Sequence, residues 1–172
     1  MRFREALSYL TGVAMVALAA AAMSAQGSGA GGDNPDVTEV RNYTLTLDKA
    51  QKAAAAMQSI NQLIAANPGL NAALDAGSAT TSKKTITQQA QDIDSQYPQI
   101  GAIIHTNGLQ SREFIVITGA IINDVGFVGM KMQGMITAYP PNSITPANAA
   151  FVEANWAAFQ AIAAKMTPPN TN

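Results

Sequence analysis

The chain has no cysteine and one histidine, and its charged residues are few and nearly balanced. Lack of cysteine excludes disulfides, thiol catalysis and thiolate metal sites, so stability has to come from burial. The one histidine is His105. Metal centres draw on several histidines or carboxylates, and a Ser-His-Asp triad needs its histidine beside a nucleophile, so neither is indicated. No basic cluster exists either: the lone dibasic pair, Lys83-Lys84, lies in a Ser/Thr-rich loop that it keeps solvated. That argues against nucleic acid and anionic lipid as partners.

What is present begins with an ordered N-terminal pattern. Arg2 and Arg4 precede the uncharged run VAMVALAAAAM, Val13 to Met23, followed by small and polar residues, SAQGSGAGG. This is the order of a secretory signal peptide, and the run is short for a membrane span, which takes roughly 20 residues. Cleavage after Ser24, Ala25 or Gly27 fits the small-residue exit, and with no cysteine behind the run a lipid anchor is excluded. Taking residues 1–25 as the signal peptide leaves 147 of 172 residues, the size of one domain, with eight basic against ten acidic side chains. The expected location is the periplasm or the exterior. Residues 26–43, Gly-rich and polar over most of their length, read as a flexible leader, and residues 168–172 as a disordered tail.

Between them, residues 44–167 show helical periodicity throughout. Thr46 caps a helix whose stripe is Leu47, Ala50, Ala54, Met57, Ile60 or Asn61, and Ile64. Pro68 opens a short helix that Gly77 can end. Ile86, Ala90, Ile93 and Tyr97 form the next stripe, and Pro98 starts another short helix that stops at Asn107-Gly108, with Leu109 folding back. A shift of thirty residues superposes Leu63 on Ile93, Pro68 on Pro98 and Leu70 on Ile100, which predicts two helix-Pro-helix units of like geometry. Ser111 reads as the cap of a long helix to about Ala138, apolar on all sides from Phe114 to Ile122 and therefore central. Asn123, Asp124, Lys131 and Gln133 interrupt it, against a membrane span. Thr145 and Pro146 open a last helix to Met166, antiparallel to the central one. The expected fold is an all-α, single-domain bundle of five to seven helices, with no integral membrane segment in the mature chain.

The segments YTLT (Tyr43 to Thr46), NP (Asn67-Pro68), GLQSREF (Gly108 to Phe114) and TPANAAFVEAN (Thr145 to Asn155) together resemble those of an uncharacterised group of small exported α-helical bacterial proteins. The resemblance covers most of the mature chain and implies an all-helical exported protein, with no activity attached. LTLDKAQ is also faintly similar to the Leu-Thr-x-x-Gln motif of small periplasmic helical stress chaperones, with Lys49 in place of the glutamine. Those chaperones are far richer in charge.

Three polar residues are candidates for binding a protein or small-molecule partner. Asp124 sits within a buried helix, so it must have a partner or line a pocket. Lys131, two turns on, is the candidate partner. His105 and Glu113 flank the Asn107-Gly108 turn and are expected to approach one another across it. No second acid lies at a catalytic spacing from Asp124, and Asp92 and Asp94 read as solvated on different sides of their helix. No enzyme and no cofactor are expected. The alternative chemistry is GMKMQGM, where Met130, Met132 and Met135 offer soft thioether ligands for Cu(I). A regular helix separates Met130 from the other two, so a shared site requires the helix to unwind near Gly129 or Gly134. Core filling is the competing role for these methionines.

Overall fold

The computed structural model describes residues 34–81 and 84–167. The expected signal peptide, the first part of the leader and the C-terminal tail lie outside the described residues. Those that are described form eight helices and no strand: α1 Pro35–Asn42, α2 Leu47–Ala66, α3 Pro68–Thr81, α4 Ile86–Gln96, α5 Pro98–Thr106, α6 Ser111–Met132, α7 Pro146–Ala154 and α8 Trp156–Met166. The fold is all-α. Two helices beyond the expected set account for the higher number, α1 and the division of the last helix into α7 and α8.

Helix α1 corrects the reading of 26–43 as leader throughout. Asn34 caps it by accepting from the Asp36 amide, and Pro35 occupies its first turn. Its seat is made by partners remote in sequence. Asp36 accepts from the Ile86 amide at 2.9 Å, capping α4 from outside. Both carboxylate oxygens of Glu39 accept from the Arg112 guanidinium. Val40 is buried over Gly119 of α6, where a Cβ would stand 3.2 Å from one Val40 methyl and 3.3 Å from the other. Gly119→Leu is therefore expected to cost about 1–3 kcal/mol by overpacking. Hydrogen exchange should show protection lost over residues 35–42 while α6 stays protected. Retained protection there would mean that the close approach does not seat α1.

The apolar stripes of α2 and α4 are buried as the periodicity predicts, with Ala50, Ala54 and Ile60 at 0% exposure and Ile86 at 1%. Thr46 caps α2 by accepting from the Lys49 amide, and Thr145 caps α7 by accepting from that of Asn148. At both bends the residue before proline has nearly the same backbone, φ −130° and ψ 81° at Asn67, φ −126° and ψ 57° at Tyr97. Steric pressure from the proline ring on the preceding residue disfavours helical angles there and bends both units alike. Gly77 does not end α3, which continues to Thr81. Its bare Cα instead lies under the Tyr97 hydroxyl, where a Cβ would come within 3.1 Å.

Helix α6 is the centre, packed by α1, α2, α4, α5, α7 and α8. By length and hydropathy it could cross a membrane, yet 67% of its most apolar stretch is buried within the protein. It ends at Met132, short of Ala138. Gly134 turns left-handed at φ 70°, its amide reaches the Lys131 carbonyl and the Met135 amide returns 2.9 Å to that of Met130. These two bonds define a Schellman cap, and glycine takes that φ without strain.

The last helix breaks at Asn155, whose amide bonds the carbonyls of Phe151 and Val152 and whose side chain donates to Phe151. The break lets Phe151 meet Phe159 edge to face at 5.7 Å and brings the Trp156 ring against Gly129. The most extensive contact of α8 is with α2, so the expected hairpin with the central helix is only part of its packing. Buried side chains from α1 through α8, among them Val40, Ile60, Leu74, Ile100, Ile117 and Phe159, belong to one cluster.

Candidate functional site

Asp124 lies at 0% exposure in the middle of α6. Its Oδ1 accepts from the side-chain amide of Asn123 and its Oδ2 from that of Asn148, both at 2.9 Å. Each asparagine also holds a remote main chain. Asn123 donates to the Ser143 carbonyl, whereas Asn148 donates to the Tyr43 carbonyl at 2.8 Å and accepts from the Leu45 amide at 3.4 Å. The carboxylate thus joins α6, α7, the segment before α2 and the loop before α7. Lys131 is not its partner: that ammonium bonds Glu153 at 2.8 Å. Its donors among the described residues are both neutral amides, so burial pushes the Asp124 carboxyl up to about 6, while the two hydrogen bonds pull it back toward the ordinary range.

Glu113 and His105 do not approach one another. Glu113, in the first turn of α6, faces α2 and accepts from Lys49 at 2.6 Å and from the Tyr43 hydroxyl at 3.2 Å. The Lys49 ammonium holds its carboxyl below the usual range, and the lysine is raised in turn by Glu113. A matching trio closes the other end of the helix. Lys131 and the Tyr139 hydroxyl share the same Glu153 oxygen, and the Lys131 ammonium lies 4.6 Å from the Tyr139 ring centroid. Each trio ties an irregular segment to a terminus of α6.

His105 stands beside Asp94 instead, 3.6 Å from its Oδ1. That oxygen also accepts from the Ser111 hydroxyl, so Ser111 is not the cap of α6, a position taken by Gln110 without a side-chain bond. A serine, an aspartate and a histidine meet here in the wrong order for nucleophilic catalysis, since the serine is bonded to the carboxylate and not to an imidazole that could take its proton. Asp92 is engaged as well, accepting from Lys84 and from Gln96. Asp94 is solvent-exposed as expected, though engaged, whereas Asp92 is partly covered.

The methionines behave differently. Met132 and Met135 are 55% and 57% exposed, the only large apolar side chains so exposed among the described residues. The cap of α6 supplies the unwinding that the thioether site requires, and it returns Met135 to the carbonyl of Met130. Met132 lies on the opposite side of the helix from Met130 by helical spacing, so the cap relates the backbones of two of the three methionines and not of all three. No group of three or more histidine, aspartate or glutamate side chains suited to a metal occurs among the described residues. A groove of about 410 Å3 opens where the two proline bends meet, lined by Asn67, Pro68, Leu70, Tyr97, Pro98 and Gln99 among others.

Sequence reasoning missed Asn148 and the tyrosine trios, and it did not join Asp94 to Ser111 and His105. The signal for Asn148 was present, an amide inside the apolar Ala-rich run PANAAFV. No protein family, no curated protein and no solved structure matches the chain.

Proposed function

We propose that the chain is an exported, non-enzymatic protein, a single-domain helical bundle freed by removal of residues 1–25, which acts in the periplasm or outside by binding a protein or small-molecule partner or as a structural component. Support for export comes from the arginine-led apolar start and its small-residue exit, together with the resemblance to the uncharacterised exported group. Support for one domain is the single buried cluster that draws on every helix. The observation that carries the non-enzymatic reading is the fate of the reactive side chains. Asp124, Glu113 and His105 lie in three separate places, each engaged with neighbouring protein groups. Exposed apolar surface for a partner is concentrated at Met132 and Met135, and flexible thioethers suit adaptable contacts. Native mass spectrometry of the exported protein, purified without chelator, tests this: the mass reports cleavage and any retained partner, and a mature chain that still carries residues 1–25 sinks the export reading.

Periplasmic Cu(I) handling is the second reading, favoured by the cap that brings Met135 back to Met130. The expected result for Met130→Leu with Met135→Leu is a Cu(I) affinity at least about tenfold lower, since thioethers are the soft ligands there. Unchanged affinity removes it. Chaperone-like partner binding is a third, and failure to suppress aggregation of an unfolding client removes that one.

A further inference from the structure

We propose that the C-terminal turn of α6 is an oxidation site, at which Met132 and Met135 take an oxygen atom from small peroxides before any other described side chain does. Three observations converge there. Both thioethers stand more than half exposed, whereas Met57 is buried to 4% and Met130 and Met166 are partly covered. The chain has no thiol to compete for the oxidant, so thioether sulfur is its softest accessible nucleophile. The location also gives oxidation a structural consequence. Met130 and Met135 stand at the two ends of the wider Schellman bond, from the Met135 amide to the Met130 carbonyl, on which the cap rests.

In the reaction a sulfur lone pair attacks one peroxide oxygen and the O–O bond breaks. The departing hydroxide takes the proton from the new S–OH group and leaves as water. Sulfur is oxidised by two electrons, the peroxide is reduced by two, and the product is a sulfoxide. A polar, bulkier sulfoxide on Met135, whose own amide closes the cap, draws that residue toward water and loosens the cap, leaving the core of α6 intact. Met132 takes part in neither of the two cap hydrogen bonds, so its oxidation changes the surface alone. The inference does not depend on anything docking at this turn.

The test is graded hydrogen peroxide on the full mature chain, followed by peptide mass spectrometry and amide hydrogen exchange. Met132 and Met135 are expected to oxidise at least about tenfold faster than Met57, with Met130 and Met166 between them. Exchange of the Gly134 and Met135 amides should quicken in the oxidised protein while that of residues 114–122 does not. Met132→Leu with Met135→Leu should abolish the fast phase of peroxide uptake. Equal rates at all described methionines, or a fast phase that survives in the double variant, overturns the proposal. Unchanged exchange at Gly134 and Met135 overturns its structural half.

Discussion

Raising the pH from about 4 to about 7 is expected to cost the wild-type protein about 2 kcal/mol of unfolding free energy that Asp124→Asn does not lose. The carboxyl titrates near 3.8 when the chain is unfolded and near 6 in the fold, because burial disfavours the anion. The folded state therefore binds the proton more tightly. The stabilisation is complete below about pH 4 and is lost as the pH rises through 6. Asparagine cannot ionise, so its stability difference from wild type isolates this one group from the surface carboxylates. It pays elsewhere, because its own amide must face the amide of Asn123 or Asn148, at about 1 kcal/mol for the hydrogen bond lost. The two curves should consequently cross, with wild type more stable near pH 4 and the variant more stable near pH 7. Urea titrations at a series of pH values measure this. Parallel curves would show that Asp124 is hydrated and that its burial has been misjudged.

Asn148→Ala is expected to destabilise by about 3–5 kcal/mol, since it strands several buried polar groups at once. The Leu45 amide and the Tyr43 carbonyl both lose a partner, and Asp124 keeps only Asn123 as donor. Asn155→Ala is the control. That side chain also donates to a carbonyl, at 2.8 Å, but within its own turn and at a partly exposed site, so its loss should cost about 1 kcal/mol or less. Comparable denaturation midpoints for the two variants would mean that water replaces Asn148 and that the buried network contributes little. A double-mutant cycle with Asp124→Asn should show strong coupling, because the two side chains share a hydrogen bond.

What was legible in the sequence follows the range of the interactions. Thr46 and Thr145 could be read as caps because the amides they accept from lie three residues away. The proline bends and the Asn107-Gly108 turn were equally local. Leu109 does fold back, its amide reaching the Ile104 carbonyl, and it is buried. Helix α1 could not be found in this way. Eight residues beside a Gly-rich stretch carry little periodicity, and their seat consists of Ile86, Arg112 and Gly119. The same holds at the candidate site. Helical spacing offered Lys131 to Asp124, whereas the donor that matters comes from a different helix, 24 residues on. Gln133-Gly134 was a local stop signal that the glycine-rich run around it obscured.

The attachment of α1 bears on the order in which the protein can assemble. Its three anchors, at Ile86, Arg112 and Gly119, follow their partners in it by 50, 73 and 79 residues. Synthesised N-terminus first, and exported in the same order if the proposed export holds, the chain delivers α1 well before any of them. Until Gly119 has followed, this helix is too short to persist alone and lacks part of its seat. Tyr43 and Leu45 wait in the same way for Asn148, more than 100 residues later. The first described residues to be made are thus among the last to be fixed, and until then they remain open to proteases and to other proteins.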